Sequence, residues 1–307
     1  MLVVGFVAVT LIQTLPDSAP PSGPGAVAAG SSTRAGSAPP STASAPPQTP
    51  TASPTEKPTT ERRSPNRSLT RNSLYTVELD PARVRCSITV RSPKPPLRNA
   101  NLAPYLRTLM RCMVKAVAKP LAGAGFSLTA PEVKVYRKSI KSPCGRFDQN
   151  GAPAYYCSAN QTIYWPATRD DSSEAYTYAR LGYVGLAAHE FGHHLQAVTG
   201  LTAGYARRYY AADQKAARYR LSRRLELQAQ CFEGVFLGAA ARSLGLSDAD
   251  RQQLRSWHGY TGDEDPPSSR KPDHGSSAAQ IFWLNRGLDS ADFGRCNTWK
   301  ASKASVK

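Results

Sequence analysis

No residue before Asp17 is charged, and no apolar run reaches the roughly 20 residues that a helix needs to span a bilayer. A polytopic membrane protein is thereby excluded. The opening run, Met1 to Leu15, is too short for a full span but suits the apolar core of an export signal or anchor. The basic residues that usually lead such a segment are missing, which suggests a start placed too far downstream. Leu, Ile, Phe and Val then almost vanish between Asp17 and Asn72, where Ser, Thr, Ala, Pro and Gly dominate. Of 25 prolines, 12 fall between Pro16 and Pro65. Such a stretch cannot bury enough apolar surface to offset its ordering entropy. Length alone, 307 residues, suggests two domains at about 150 residues each, but composition reduces this to one. The expected organisation is an export signal or anchor over 1–16, a disordered tether over 17–72 and one folded domain over 73–307.

Cysteine is absent before Cys86, and no Cys-x-x-Cys spacing occurs, which argues against a zinc–thiolate cluster. The six cysteines are Cys86, Cys112, Cys144, Cys157, Cys231 and Cys296. An even number in an exported chain favours disulfides. Cys144 and Cys157 flank a short Gly/Asn/Pro-containing loop and are expected to pair. Cys86 with Cys112 and Cys231 with Cys296 are the economical remainder.

Acidic residues are few: 22 against 39 Lys and Arg, for a net charge of +17. Nucleic acid, lipid headgroups, an acidic wall polymer or plain solvation would each suit such a surface. Arg207, Arg208, Lys215, Arg218, Arg220, Arg223 and Arg224 concentrate the charge, interleaved with Tyr205, Tyr209, Tyr210 and Tyr219. Export argues against a nucleic-acid partner. An anionic envelope surface is the functional reading, set against a solvated helix whose tyrosines pack inward.

Within the folded part, Val84–Val90 alternates and is β-branched, so it reads as a strand. Leu102 to about Leu121 reads as a helix with one apolar face. Val133–Tyr136 is a short strand, and Tyr155–Trp165 resembles a hairpin turning at Ala159-Asn160. From Ser173 onward the pattern is helical: one helix ending near Gly200, a long one over about 206–243, and others after Ser247 and Ser276. Small strands first and helices afterwards make an α+β domain.

Histidine is scarce too, yet three of the five lie within six residues, in Leu186-Ala-Ala-His189-Glu190-Phe-Gly-His193-His194-Leu195-Gln-Ala-Val198. On a helix, His189 and His193 stand one turn apart on one face, so both imidazoles can reach one metal ion. Glu190 points to the rim of that face, where a carboxylate can shuttle a proton between water and a leaving amine. The competing reading, a solvated polar face, fits poorly with flanks of Ala, Leu, Phe, Gly and Val. Gln196 and Thr199 stand where the extended motif ending in a third histidine needs Gly and His, so the third ligand must come from further on. Asp213 lies in a polar, basic run. Glu226 lies among apolar neighbours in Leu225-Glu-Leu-Gln-Ala-Gln-Cys231 and needs a cation there. Zinc would supply it; so would an ion pair with Arg220, Arg223 or Arg224. His258 and His274 sit in polar, loop-like stretches. His194, about 100° around the helix from His193, suits packing rather than ligation.

Ala188–Gln196, Leu225–Cys231 and His274-Gly-Ser-Ser277 together resemble the bacterial neutral zinc metallopeptidase family, gluzincin-like proteins. So do Tyr156–Tyr164 and Cys296-Asn-Thr-Trp299. The resemblance runs from about Cys86 to Trp299. It implies a zincin-like fold, zinc held by His189, His193 and Glu226, and Glu190 as the catalytic base. Family members have Asp where this chain has Gln230, an acid that commonly orients a zinc-binding histidine. Loss of such a partner costs about 10–100-fold in metal affinity or activity, so an acid restored at 230 is expected to raise either. His274 is a candidate donor to the oxyanion of the tetrahedral intermediate, against a structural loop role. The reading reached is an extracytoplasmic, membrane-anchored or secreted zinc metallopeptidase acting on protein or peptide. Its rival is a catalytically weakened, zinc-containing binding or scaffold protein of the cell envelope.

Overall fold

Leu102, Leu106, Leu109, Met113, Val117 and Leu121 recur every three or four residues and are all buried, forming the inner face of α1, Asn99–Gly123. The computed structural model describes residues 64–88, 90, 99–148, 154–167, 173–259, 261–264 and 271–307. After α1 come five short strands: β1 Glu132–Tyr136, β2 Ile140–Ser142, β3 Gly145–Phe147, β4 Tyr155–Cys157 and β5 Thr162–Pro166. Five helices follow: α2 Ser173–Val198, α3 Leu201–Tyr210, α4 Lys215–Leu244, α5 Asp248–His258 and α6 Ser277–Leu288. The domain is α+β, with small strands ahead of a mainly helical half, as expected from the sequence.

The main sheet has the order β1–β5–β4. Central β5 is buried along its whole length, pairing parallel with β1 and antiparallel with β4. The β4–β5 pair is the expected hairpin, turning through Ser158–Gln161, with Gln161 at φ 52°. The hairpin β2–β3 was not foreseen; it is tied to β4 by the Cys144–Cys157 disulfide and caps the sheet with the Phe147–Tyr155–Tyr164 stack. All three expected disulfides are present.

Three expectations need correction. Val84–Ile88 forms no strand: Val84 and Cys86 are buried, but Cys86 is bonded to Cys112 of α1 instead of lying in a ladder. The long helix expected over 206–243 is two helices, α3 and α4, parted at 211–214. There the Arg218 guanidinium donates back to the Ala212 carbonyl at 3.0 Å, securing the corner. Finally, the leader over 1–16 and the tether as far as position 63 lie outside the described residues, but residues 64–72 are packed. Leu69 is buried, and buried Asn72 accepts from the Leu74 amide and donates to the Thr199 carbonyl at 3.1 Å. The folded unit therefore begins before Ser73.

α2 and α4 run side by side through the core, and α2 presents a glycine where it meets the backbone of α4. A Cβ on Gly192 would stand 3.1 Å from the Ala229 carbonyl oxygen and 3.2 Å from its Cα. Likewise α4 meets α6 at Gly234 and Gly287, where a Cβ on either would collide with the other helix's backbone. Ser247 and Ser276 cap α5 and α6 with their side-chain oxygens, which satisfies amides the helices leave unpaired. Among the described residues no helix is long and apolar enough to cross a membrane.

The close approach at Gly192 can be tested directly. Gly192→Val should lower the unfolding free energy by about 1–3 kcal/mol through overpacking, as read by denaturant titration. An unchanged midpoint would show that α2 and α4 are not held backbone to backbone.

Candidate metal centre

Because α2 and α4 touch at Gly192 and Ala229, residues flanking that contact on the two helices face each other. His189 and His193 come from α2 and Glu226 from α4, and their candidate ligand atoms lie within 4.8 Å of one another. Glu226 Oε2 lies 3.4 Å from His189 Nε2 and 3.2 Å from His193 Nε2. All three side chains are buried. Neither Glu226 Oε1 nor His193 Nε2 has a hydrogen-bond partner. Two imidazoles and one carboxylate with unsatisfied buried donor atoms suit a tetrahedral zinc site that keeps one position open.

The alternative for Glu226 was an ion pair with a nearby arginine, and the geometry removes it. Arg223 donates to the carbonyls of Val306 and Pro272, and Arg224 to those of Thr298 and Ala301. These cations secure the C-terminal segment and leave Glu226 to the histidines. Part of the basic, tyrosine-rich stretch is thus internal structure: Tyr205 is buried and bonded to Ser222, and Tyr209 lies under Arg218. Asp213 is exposed at the corner between α3 and α4, away from the centre.

Charge in the pocket is finely balanced. Burial disfavours the ionised form of Glu226, but the charge of His193 close by and the hydrogen bond from His189 outweigh it and hold the carboxyl well below the usual range. Burial would lower His193, yet the Glu226 carboxylate pushes it up to about 9. His189, where burial dominates, is lowered. Without a metal, His193 must carry the cation that Glu226 demands, and a divalent ion in the same place would serve better.

His193 is set up to ligate. Its Nδ1 lies 2.9 Å from Gln196 Oε1, while Gln196 Nε2 donates to the Leu225 carbonyl at 2.8 Å. The Leu225 carbonyl can only accept, so the Gln196 oxygen faces His193, Nδ1 carries the proton and Nε2 keeps its lone pair for a metal. Gln196 also donates to Gln228, whose amide reaches the Tyr75 hydroxyl and the Cys296 carbonyl, while Trp299 donates to Gln228. Gln196 was read only as a departure from another motif, and Gln228 was not singled out. A polar side chain one turn after a ligating histidine was the available signal.

Glu190 is fully buried, and neither carboxylate oxygen has a hydrogen-bond partner. Burial pushes its carboxyl up to about 7, with His193 pulling down and Glu226 adding to the rise. His274, on the loop before α6, reaches the same pocket: its Nε2 lies 3.9 Å from Glu226 Oε2 and has no hydrogen-bond partner. Its Nδ1 lies 2.7 Å from Asp273 Oδ1. Burial would lower His274, but the Asp273 hydrogen bond, followed by Glu226, pushes it up to about 9.

Gln230 and His258 lie behind His189. Gln230 Nε2 donates to Glu233 Oε2 at 2.8 Å and lies 2.9 Å from His258 Nε2. Glu233, which the sequence reading passed over, is buried seven residues after Glu226 on α4, with Oε2 3.9 Å from His189 Nδ1. An acid inside the apolar run Cys231-Phe-Glu-Gly-Val was the signal that could have found it.

The other histidine of the motif does structural work. His194 Nε2 lies 2.8 Å from the Thr129 carbonyl and its Nδ1 2.9 Å from the Tyr156 hydroxyl. A carbonyl cannot donate, so Nε2 carries the proton and Nδ1 accepts from Tyr156. Burial lowers this imidazole, in keeping with a neutral ring that joins α2 to the sheet. His194→Phe strands two polar groups and should lower stability by about 1–3 kcal/mol in denaturant titration, with zinc still bound. Loss of zinc at unchanged stability would contradict this assignment.

Among known proteins, the family described as "Putative neutral zinc metallopeptidase" matches residues 117–299, a span holding every residue of the centre. "Uncharacterized protein YpfJ" of Escherichia coli (strain K12) is 30% identical over 190 residues, covering 58% of this chain and 64% of the relative's length. "Uncharacterized protein Mb2605" of Mycobacterium bovis is 28% identical over 213 residues, 62% of this chain and 68% of the relative. The chain thus spans under two thirds of the length of the Escherichia coli relative it matches. No solved structure matches this chain significantly.

Proposed function

The chain belongs to the neutral zinc metallopeptidase family, and from that premise we propose that it hydrolyses peptide bonds, with zinc held by His189, His193 and Glu226 and the proton moved by Glu190. One observation carries the reading: three convergent ligand atoms lie beside a buried carboxylate whose two oxygens are unbonded. Bound there, zinc would supply Lewis acidity for a substrate carbonyl and for water.

The protein's own groups divide the remaining work. Glu190 accepts a proton from the attacking water and returns it to the leaving amine nitrogen, a task suited to a carboxyl held near neutral pH. His274, fixed through Nδ1 by Asp273, offers Nε2–H to the oxyanion that develops at the former carbonyl. Gln196 keeps His193 in the tautomer that ligates. Burial of Glu190, His193 and Gln196 shields them from bulk water and strengthens their interactions.

Three disulfides support a site of action outside the cytoplasm. We take the domain to be carried there by the apolar leader and held at a distance by the proline-rich tether, as a secreted or membrane-anchored form. The substrate class is protein or peptide, and an anionic envelope surface is the partner that the remaining positive charge suits. The rival reading, a zinc-containing binding or scaffold protein with little catalysis, draws on the uncharged amide at Gln230.

Turnover of a fluorogenic peptide library separates the two. Glu190→Gln should retain zinc and lose about 10²–10⁴-fold in kcat. Equal, background-level turnover in wild type and variant would exclude the peptidase reading. His274→Gln should lower kcat by about 10²–10³-fold with KM little changed. A changed KM at unaltered kcat would place His274 in substrate binding instead.

A further inference from the structure

We propose that Glu233 is the positioning carboxylate of the metal centre, set against His189 Nδ1, and that Gln230 serves as its clamp. The inference rests on the reading of His189 as a zinc ligand.

Ligating histidines almost always give their second ring nitrogen a hydrogen-bond acceptor, which fixes the tautomer and raises the ligand's basicity. His193 has Gln196 for this purpose. The acid nearest His189 Nδ1 is Glu233 Oε2, at 3.9 Å, an ion-pair separation that a small side-chain adjustment turns into a hydrogen bond. Glu226 and Glu233 are seven residues apart on α4 and so share one helix face, the ligand at one level and its supporting acid two turns on.

Three features show that this space is built around Glu233. The side chain is 1% exposed, so the carboxylate must be held by polar partners. The Gln230 amide supplies one, donating to Glu233 Oε2 at 2.8 Å, and His258 Nε2 of α5 stands 3.4 Å from Oε1. Room comes from Gly185, one turn before His189 on α2, where a Cβ would stand 2.9 Å from Glu233 Oε1. A glutamate needs that extra space.

Gln230 thus changes meaning. An aspartate at 230 would put a second buried carboxylate beside Glu233, whereas an amide donates to it. Gln at 230 and Glu at 233 form a matched pair that moves the supporting charge from one position to the other. The expectation that Gln230→Asp alone strengthens the site is therefore reversed: with Glu233 in place, the second acid weakens it.

The test uses the full chain and zinc alone, with dissociation constants from competition against a chromogenic chelator and melting of the metal-free protein in parallel. Glu233→Gln should weaken zinc by about 10–100-fold while the metal-free melting temperature stays close to wild type. Gln230→Asp should also weaken it. The double variant Gln230→Asp/Glu233→Ala returns a single carboxylate and should recover zinc affinity to within about tenfold of wild type, a rescue that mere packing would not produce. Should Glu233→Gln fail to fold, the double variant decides alone. Wild-type affinity in Glu233→Gln, or no rescue in the double variant, overturns the inference while zinc binding by wild type stands. A wild-type chain without zinc affinity overturns the metallopeptidase reading and this one together.

Discussion

The structure depends on the near-contact of two helix backbones. Gly192 of α2 lies against Ala229 of α4, and beside this approach imidazoles from one helix come within reach of a carboxylate on the other. A side chain at 192 would set its Cβ 3.1 Å from the Ala229 carbonyl oxygen, so that α4 would have to give way beside the donor atoms that now lie within 4.8 Å. The same approach buries Glu226 without an arginine or lysine, a costly state that calls for a cation in the pocket. Packing and chemistry are therefore one constraint: the helices that bury the centre also create the demand for charge within it.

Around that contact runs a connected set of buried amides. Gln196 links His193 to α4, and Gln228 carries the connection to Tyr75 near the start of the folded unit and to Cys296 and Trp299 near its end. The Cys231–Cys296 disulfide secures the same C-terminal segment to α4. Arg223 and Arg224 hold its carbonyls. Segments remote in sequence thus meet behind His193 and Glu226, where a fully satisfied polar network specifies one arrangement of the core. Part of the charge just before Glu226 belongs to this internal scaffold.

The centre was legible because its spacing is geometric. His189 and His193 follow from the helical period, and Glu226 from the cost of a carboxylate among apolar neighbours. The hairpin over 155–166, α1, the helix starts after Ser247 and Ser276 and the Cys144–Cys157 disulfide were legible for similar local reasons, and the other two disulfides followed as the remainder. What escaped depends on tertiary contacts. Val84–Ile88 has strand-like residues but no ladder partner, and its place is set by Cys86 on α1. The break between α3 and α4 carries no proline or glycine; a guanidinium closing on the Ala212 carbonyl marks it. Residues 64–72 look like tether in composition, yet Leu69 and Asn72 find partners only in the folded core. Glu233 was hidden for the same reason, since its relation to His189 appears only when α2 lies on α4.

X-ray absorption at the zinc edge on the full chain, purified without chelator, reads the ligand set of the centre. Two imidazoles and a carboxylate give a shell of nitrogen and oxygen only, at about 2.0–2.2 Å. A sulfur shell at about 2.3 Å, or a chain that retains no zinc, would contradict it.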